Sequence, residues 1–587
     1  MQGPRWTGAV PPSLPESPVR PAAPGDEGDL ARHRDRQDDA PARWEGDHAH
    51  PVWGDEAIDG HPARRDPGSG TGGSGRRSHR ARRAHSRWYA FVVGRASLPV
   101  VLLLQAVLSA RLVWSNTAFQ DEGLYLWAGH LELDHFLRHS PVPDFATYWS
   151  GAPVLYPPIG AMADGIGGLA AARLLSLVFM LIATALLHGV TRRIFGSRAT
   201  AFFAAALFAG VGSAQFLGAF ATYDALALML LSVATWLGVR SAEAGNAARI
   251  ATLVLAGLVL VTANATKYVS AMYDPVVVAV VALTVWQRRG RGAGLAAGSV
   301  LAATTAALLA GAYWLAGPSY AAGIRLSTFT RVAGPTQGTS VLLMSARWIG
   351  IVAALAVVGA VAASYAWQRW PTVLLAWTLA VAALLAPVEQ ARISTSQSLF
   401  KHAGYGAWFA AAVAGYFLAA LPNALRKAGT FTLAACVVAV ASAAAVGTFI
   451  VSLQYRGWPD AGRLTTTMQQ LERPGGHYLV EDYDVEAYYL RSSVSEPQWS
   501  NTFYFGYTDP ATGKYLENAP AYADAIRHRY FTAIVLAFGD TYSTDQEIVA
   551  DIRRYGGYRL TAELPYSTAA GPGKYEIWTL SRSTSSR

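Results

Sequence analysis

The sequence predicts a mainly α-helical, polytopic membrane protein of about eleven spans with a small α/β domain at its C-terminal end. Of its 587 residues, 52% are hydrophobic and only 15% are charged, whereas a soluble globular protein has about 25% charged residues. Apolar runs long enough to cross a hydrocarbon core of about 30 Å recur through the middle of the chain. The composition changes sharply on both sides of that middle part.

The N-terminal segment, residues 1–86, is rich in Pro, Gly, Asp, Arg and His and has almost no aliphatic runs. Such a segment cannot bury enough apolar surface to offset its chain entropy. We therefore expect a disordered cytoplasmic tail, dispensable for activity over residues 1–75. The first apolar run begins too late for a signal peptide and has no small-residue cleavage pattern. The single cysteine, Cys436, excludes an intramolecular disulfide framework and a multi-cysteine metal site.

The central segment, residues 87–454, holds the predicted membrane spans. The fourth, fifth and sixth spans are short or interrupted by polar residues. The eleven apolar stretches cover residues 88–113, 166–190, 199–219, 225–240, 249–266, 272–287, 294–316, 348–366, 371–388, 404–422 and 430–453.

Basic residues predict the orientation of these spans, because loops rich in Lys and Arg face the cytoplasm. The run "RRSHRARRAHSR" from Arg76 precedes the first span, and "RRGR" from Arg288 follows the sixth. Further basic residues follow alternate spans, ending with Arg426 and Lys427. With eleven spans, all of these lie on one side. We therefore predict a multi-pass plasma-membrane protein with a cytoplasmic N-terminus and an extracytoplasmic C-terminus, and no nucleic-acid partner, since this positive charge serves topology.

The polar tail, residues 455–587, predicts an extracytoplasmic α/β domain. "HYLVED" and "FTAIVLAF" are typical of buried strands, and "YEIWTL" of a last strand. "APAYADAIRHRY" and "DQEIVADIRRYG" have the periodicity of amphipathic helices. Strands that alternate with helices favour an α/β arrangement.

Three acidic residues flank the predicted spans on their outer side. Asp121 and Glu122 follow the first span within "FQDEGLYLWAGH", and Asp224 lies in "ATYDALALML". Carboxylates that converge at an interface repel one another unless a cation, a proton or a cationic ligand lies between them. This pattern predicts a divalent metal site at Asp121, Glu122 and Asp224, a polarised acceptor, or both. The alternative is that each carboxylate is a solvated interfacial residue.

Basic residues also occur on the outer side, although Lys and Arg are normally enriched in cytoplasmic loops. Because Arg and Lys neutralise anionic groups, these residues favour a phosphate site. Lys267, in "ANATKYVSAMYDP", lies close to membrane depth, where a charge is costly and often functional. Snorkelling to the interface is the alternative for Lys267, and ordinary loop charges are the alternative for the others. The remaining candidates are Arg325, Arg331, Arg392, Lys401 and His402.

In this order, these motifs resemble the GT-C glycosyltransferases, in particular the branch of protein O-mannosyltransferases and aminoarabinose lipid A transferases. The resemblance covers roughly residues 88–453. Its most specific part is "FQDEGLYLWAGH", which is similar to the family's Asp-Glu pair in the first outer loop. The stretch "LYPPIGAMADGIGG", the acidic site "ATYDALALML" and the "TKY" turn at Thr266 resemble further family features.

The resemblance implies a polyprenyl-phosphate-linked sugar donor in the bilayer and cell-envelope glycosylation at the outer face. It implies that Asp121 is the general base of an inverting displacement, with Glu122 and Asp224 positioning the acceptor or holding a divalent ion. The six basic residues would bind the donor phosphate. The acceptor is left open between protein, lipid and polysaccharide.

Two other classes of function share some of these features. A transporter or flippase of a lipid-linked or anionic substrate would also use charges near the membrane, but it should place polar groups at mid-bilayer in several spans. Predicted spans 294–316 and 430–453 contain no acidic residue. A membrane anchor that displays the C-terminal domain would need only one or two spans.

Overall fold

The computed structural model describes residue 94 and residues 96–367, 369–424 and 429–581. These residues belong to one compact unit. The predicted N-terminal tail and the basic run from Arg76 to Arg87 lie outside the described residues, and so do Arg426 and Lys427. Their predicted structure and orientation therefore stay predictions.

Nine helices within the described ranges are long and apolar enough to cross a membrane. Two shorter apolar helices, Ser97–Ala110 and Arg198–Gly210, occupy the first and third predicted positions. Each apolar stretch predicted from the sequence thus contains a helix, although the first is helical only over Ser97–Ala110 and the third is broken at Val211. The predicted fold class is confirmed. The nine are Tyr156–Phe195, Tyr223–Ser241, Asn246–Thr266, Tyr268–Arg289, Arg291–Phe329, Gly338–Ala366, Trp370–Arg392, Leu399–Leu421 and Ala434–Gln454.

The helices of this region are numbered in chain order. Short 3-10 turns at Tyr268–Tyr273 and Ala382–Leu384 and a π-turn at Arg325–Phe329 extend some of them. The α-helices are α1 Ser97–Ala110, α2 Gln120–Arg138, α3 Tyr156–Phe195, α4 Arg198–Gly210, α5 Gly212–Leu217, α6 Tyr223–Ser241, α7 Asn246–Thr266, α8 Asp274–Arg289, α9 Arg291–Ile324, α10 Gly338–Ala366, α11 Trp370–Val381, α12 Leu385–Arg392, α13 Leu399–Ala424 and α14 Gly429–Gln454.

The long helix α3 is interrupted by a glycine pair. Gly168 has a φ of 65°, a left-handed conformation that glycine adopts without steric cost. The turns before the break form a separate helical segment that begins at Tyr156 and has Pro157 and Pro158 in its first turn. Proline suits the first turn of a helix because the N–H that it lacks would have no partner there. The Pro-Pro pair therefore starts a helix on the side of the membrane region that carries α2.

Helices α6 and α13 lie at the centre of the helical region. In their membrane-crossing windows, 67% and 72% of the residues are buried, compared with 22% in α14. Small residues allow neighbouring helices to approach closely. At Gly415 of α13, a Cβ atom would lie only 2.5 Å from the backbone nitrogen of Ala204 in α4. Because α6 and α13 are fixed centrally, the side chains at their N-terminal ends are held in defined positions.

The C-terminal domain contains a five-stranded sheet with the order β2-β1-β5-β7-β6. Strands β1, β2 and β5 pair in parallel, and the long β6–β7 hairpin completes the sheet with antiparallel pairing. The strands are β1 His477–Val480, β2 Trp499–Asn501, β5 Phe531–Leu536, β6 Tyr558–Thr568 and β7 Gly571–Leu580, with a separate ribbon of β3 Gly506–Thr508 and β4 Tyr515–Glu517. The helices are α15 Gly462–Leu471, α16 Asp484–Tyr489, α17 Asn518–Arg527 and α18 Tyr542–Tyr555.

The predicted strands and helices of this domain are confirmed as β1, β5, β7, α17 and α18. The sequence analysis missed the helices α15 and α16 and the strands β2, β3, β4 and β6. Strands β2, β3 and β4 have three residues each, which is too short for a period of two to be recognised. Strand β6 is mostly exposed or half-buried, so its sequence lacks a continuous apolar face.

Glu486 in α16 provides a test of how buried charge affects this domain. The residue is 3% exposed and its Oε2 atom has no hydrogen-bond partner. Burial, and to a lesser degree the charge of Asp482, raise the pKa of Glu486 from 4.5 to about 8. The folded state therefore keeps a proton that the unfolded state has lost, and stability should fall between pH about 4.5 and about 8 by up to about 1.4 kcal/mol per pH unit.

Glu486→Gln should remove this part of the pH dependence, because glutamine stays neutral. The measurement is the thermal unfolding midpoint of the purified protein at pH 5.5 and at pH 8.5. We expect the variant to be more stable than the parent protein only at the higher pH. The exposed Glu547 of α18 supplies the control substitution, Glu547→Gln. A Glu486→Gln variant that loses stability equally at both pH values would contradict the assignment of a protonated, buried carboxyl group.

Candidate active site

Asp121 lies in the first turn of α2. Its Oδ2 atom is 2.6 Å from the ammonium group of Lys401, and its Oδ1 atom is 3.2 Å from the Tyr125 hydroxyl one helical turn further on. The side chain is 28% exposed, whereas Lys401 is almost completely buried. Asp121 is thus held by buried partners on one side and remains accessible on the other.

Glu122 is adjacent to Asp121 in sequence, but its side chain contacts a different set of residues. Its two oxygens accept hydrogen bonds from the Arg173 guanidinium of α3 at 2.8 and 2.6 Å. They also accept from the backbone N–H groups of Ala221 and Phe119, at 2.8 and 3.1 Å. Both charged side chains are completely buried. The expectation that Glu122 stands beside the two aspartates at a metal or an acceptor therefore needs correction, because its four acceptor positions are already used.

Asp224 lies in the first turn of α6 and is fully buried. Its neighbour Thr222 caps the helix, accepting from the Asp224 backbone N–H and donating to Oδ2 at 2.9 Å. The Tyr405 hydroxyl of α13 lies 3.4 Å from Oδ1. A carboxylate at a helix N-terminus is stabilised by the helix dipole. The carboxylate of Asp224 faces the first residues of α13.

Lys401 and His402, in the first turn of α13, meet both aspartates. The Lys401 ammonium group is 2.6 Å from Asp121 Oδ2 and 3.9 Å from Asp224 Oδ2. The His402 Nε2 atom is 3.9 Å from Asp224 Oδ1, which is too far for a hydrogen bond, and it has no other partner. The prediction that Asp121 and Asp224 approach each other is confirmed, since both carboxylates contact one ammonium group.

Lys267 joins the same cluster from the turn between α7 and α8. Its ammonium group donates to the Ser150 and Tyr223 hydroxyls at 2.6 and 2.9 Å and lies 4.3 Å from the centre of the Tyr223 ring. The Tyr223 hydroxyl is in turn 2.8 Å from the Tyr125 hydroxyl. A hydrogen-bonded chain therefore connects Lys267 through two tyrosines to Asp121. Lys267 is 3% exposed, which argues against simple snorkelling.

The remaining basic candidates separate into two groups. Arg331 is half-buried, donates to the Gln397 side chain at 3.0 Å and acts electrostatically on Lys267 and His402. Arg325 is exposed and its guanidinium has no ion-pair partner among the described residues. Arg392 is 67% exposed and pairs with Glu389 on its own helix at 2.6 Å. The structure thus places Arg331 near the cluster and leaves Arg325 and Arg392 outside it.

We call the group of Asp121, Asp224, Lys267, Lys401 and His402 the charged cluster. Together with Arg331, it contains more positive than negative charge when His402 is neutral. Three basic side chains face two carboxylates, so one positive charge is left without a counterion. The unpartnered His402 Nε2 atom adds a hydrogen-bonding group. An excess charge at a largely buried site is costly unless it is paired, so the cluster and Arg331 together are suited to bind a monoanion.

The residues do not fit a divalent metal ion in this arrangement. The Lys401 ammonium group lies between Asp121 and Asp224, where a shared cation would have to bind. Glu122, the third expected ligand, is saturated by Arg173 and backbone N–H groups. Lys401 therefore supplies the positive charge between the two aspartates.

Several residues of the site were missed by the sequence analysis. Tyr125 stands four residues after Asp121 and Tyr223 directly precedes Asp224, so their positions in the two motifs could have indicated them. Ser150, Arg173 and Tyr405 carry no such signal, because their roles arise only from the packing of distant segments. In the sequence, Arg173 is only a single charged residue within an apolar span.

The C-terminal domain packs on α2 next to this site. A Cβ atom at Gly123 would lie 2.8 Å from the backbone oxygen of Asp484. The Tyr489 hydroxyl accepts from the backbone N–H of Ala118 at 2.9 Å. Asp164 of α3 pairs with Arg491 at 2.9 Å. The loop and helix at residues 481–491 are therefore part of the surroundings of Asp121.

Comparisons with known proteins agree with this architecture. The family model for dolichyl-phosphate-mannose-protein mannosyltransferase matches residues 165–314. This range includes Asp224 and Lys267 but not Asp121 or Lys401, and it is less than half of the chain. No curated protein matches the sequence.

Among solved structures, the chain is similar to ArnT from Cupriavidus metallidurans bound to undecaprenyl phosphate, with a TM-score of 0.52 and 15% identity over 86% of this chain and 99% of that chain. The apo ArnT from the same organism scores 0.48, with 15% identity over 84% and 98% of the two chains. The apo oligosaccharyltransferase from Archaeoglobus fulgidus scores 0.48, with 13% identity over 84% and 75%. The family-model match over residues 165–314 and the fold shared with the undecaprenyl-phosphate-bound ArnT confirm the expected resemblance to GT-C membrane glycosyltransferases.

Proposed function

We propose that this chain transfers a sugar from a polyprenyl-phosphate-linked donor to an acceptor hydroxyl, with inversion at the anomeric carbon. The observation that carries the proposal is the charged cluster together with Arg331, in which a partly exposed carboxylate, Asp121, adjoins charged groups that have an excess of one positive charge. A donor phosphodiester has one negative charge and would balance that excess. The similarity to ArnT bound to undecaprenyl phosphate supports a lipid-linked donor.

In the proposed reaction, the acceptor oxygen attacks the anomeric carbon as Asp121 removes its proton. The bond between that carbon and the phosphate oxygen breaks, and polyprenyl phosphate leaves with one additional negative charge. Asp121 suits the role of base because its carboxylate is the accessible one, whereas that of Asp224 is buried. A correctly placed base contributes about 10²–10⁴-fold to the rate.

The basic residues take up the charge that develops on the leaving phosphate. Lys401 and Lys267 provide ammonium groups, His402 provides the unpartnered Nε2 atom, and Arg331 lies within electrostatic range. Preorganised positive groups stabilise a developing anion strongly when water is excluded. The Asp224 carboxylate lies 3.9 Å from the Lys401 ammonium group, and Tyr223 connects Lys267 to Tyr125.

Lys401→Met should weaken the binding of polyprenyl phosphate by at least about tenfold, because it removes a buried ammonium group from the phosphate site. Binding is measured with the full-length protein in lipid nanodiscs and radiolabelled polyprenyl phosphate. Arg392→Met is the matched control, since Arg392 is exposed and paired with Glu389, and its affinity should stay unchanged.

If the parent protein and Lys401→Met bound polyprenyl phosphate with equal affinity, Lys401 would not be part of the phosphate site.

The function itself is tested by transfer of labelled sugar from polyprenyl-phosphate-mannose and polyprenyl-phosphate-arabinose to acceptors in membranes of the producing organism. A protein that binds the lipid yet transfers neither sugar nor any related pentose or hexose would contradict the proposed function.

A further inference from the structure

A cavity between α6 and α7 lies at the end of these helices that is opposite the charged cluster. The cluster is at the other end, because Asp224 lies in the first turn of α6 and Lys267 directly follows α7. The cavity has a volume of about 380 Å³ and is open to the surface. We call it the α6–α7 pocket. Its walls include Leu237, Arg240, Glu243, Thr252 and Leu255.

Arg240 brings an unpaired positive charge to the α6–α7 pocket. Its side chain is exposed, and its guanidinium has no hydrogen-bond or ion-pair partner among the described residues. The guanidinium lies 5.1 Å from the centre of the Trp236 ring, and that of Arg193 lies 5.6 Å from the centre of the same ring. Cation–π contacts of this kind hold a guanidinium in place without neutralising it. Arg240 is therefore positioned for an anion that the protein itself does not supply.

Glu243, the acidic wall residue, is already paired with other arginines. Its Oε1 atom is 2.9 Å from the guanidinium of Arg288 and 3.6 Å from that of Arg193. Together with Arg240, three positive charges therefore stand against one negative charge at the α6–α7 pocket. Such an excess of positive charge attracts an anionic ligand.

The backbone at the mouth of the α6–α7 pocket adds to this positive charge. The carbonyl groups at the C-terminal end of α6 would repel an anion, but Arg289 donates to the backbone oxygens of Ala242 and Ala244 at 2.9 Å. The first turn of α7 presents N–H groups with partial positive charge, and its cap residue, Gly245, has no side chain to occupy them. Ala248 of this turn is a wall residue of the pocket.

An apolar surface continues from the α6–α7 pocket along α7. Leu255 lines the pocket and is 47% exposed. Ile250, Val254 and Leu258 are 53%, 44% and 51% exposed, and their spacing of four residues places them on one face of the helix. Helix α7 is long and apolar enough to cross a membrane. Phosphate alone would leave this surface uncovered, whereas acyl chains next to a phosphate group match both the charged and the apolar part.

We propose that the α6–α7 pocket binds the headgroup of an anionic phospholipid, with its phosphate on Arg240 and its acyl chains along the exposed face of α7. Basic pockets between membrane helices suit such headgroups, and Trp236 suits the headgroup level of a bilayer. The arginines at this end predict that it faces the cytoplasm, where the leaflet is rich in anionic lipids. The site is separate from the proposed donor site, because none of its residues belongs to the charged cluster.

The test uses the full-length protein in detergent and phosphatidylglycerol with a photoactivatable group on the acyl chain near the glycerol. Labelling is followed on the peptide that spans residues 237–255, so that lipids bound elsewhere are not counted. Arg240→Gln should raise the phosphatidylglycerol concentration for half-maximal labelling at least about tenfold, because it removes the unpaired charge. Trp236→Leu should also raise it, although every charge is kept, since it releases the Arg240 guanidinium.

Arg249→Gln is the matched control. Arg249 is near the pocket in sequence, but it is not a wall residue and its guanidinium is bonded to the Asn246 side chain at 2.6 Å. Labelling of this variant should equal that of the parent protein. Unfolding midpoints measured without added lipid should be the same for the parent protein, Arg240→Gln and Arg249→Gln, which separates loss of the lipid from loss of the fold.

Competition with unlabelled compounds identifies the chemistry that is recognised. Unlabelled phosphatidylglycerol should abolish labelling of the 237–255 peptide, whereas phosphatidylcholine should require at least about tenfold higher concentrations. Equal competition by phosphatidylcholine would show that the anionic charge is not recognised and would overturn the assignment. Displacement by millimolar inorganic phosphate would overturn it in favour of a soluble anion. Unchanged labelling of Arg240→Gln would exclude Arg240 as the phosphate ligand and contradict the proposed site.

Discussion

Replacing Asp121 with asparagine should lower the rate of sugar transfer by about 10²-fold or more, while the binding of polyprenyl phosphate is retained. Asparagine keeps the size of the side chain and can still accept a hydrogen bond from Lys401, but it cannot take the proton of an acceptor hydroxyl. Donor affinity should be equal to or higher than that of the parent protein, because the substitution removes one negative charge next to the phosphate site.

Transfer rate and lipid binding are measured on the same preparations, so that loss of chemistry is distinguished from loss of the donor. Asp551→Asn in the C-terminal domain serves as the matched control for an aspartate replaced far from the site. If Asp121→Asn kept nearly full turnover, Asp121 would not be the base, and Asp224 would be the next carboxylate to examine.

Glu122→Gln should have a different effect from Asp121→Asn although the two residues are adjacent. It leaves the Arg173 charge buried without a counterion, and breaking a buried ion pair in this way costs about 3–5 kcal/mol. We expect a lower yield of folded protein and a lower unfolding midpoint in detergent, measured by size-exclusion chromatography with a thermal ramp.

Arg173→Lys should be destabilising as well, because one ammonium group cannot replace the guanidinium bonds to Glu122 and to the backbone oxygens of Val113, Asn116 and Thr117. The folded Asp121→Asn protein is the reference for both variants. A Glu122→Gln protein with unchanged stability but no transfer activity would instead restore the direct role in catalysis that the sequence motif implied.

The ion pair of Glu122 and Arg173 also shows where inference from sequence stops. Both aspartates, both lysines and His402 were identified from their positions beside apolar runs, and the structure brings them together. Glu122 was assigned to the same site because it is adjacent to Asp121, yet successive residues of a helix point about 100° apart, and the partner of Glu122 lies on another helix. Arg392 was included for its charge alone, and an acidic residue three positions earlier satisfies it.

The sequence by itself determined the number and positions of the apolar helices, the α/β character of the C-terminal domain and a set of candidate residues that contains the charged cluster. These follow from local composition, because a span needs a long apolar run and a charge beside such a run is costly. Only the tertiary structure decided that Lys401 lies between Asp121 and Asp224, that Tyr223 and Tyr125 connect Lys267 to Asp121, and that the C-terminal domain packs on α2. Such contacts join residues far apart in the chain, and they depend on the packing of α6 and α13 at the centre of the helical region, which no local pattern encodes.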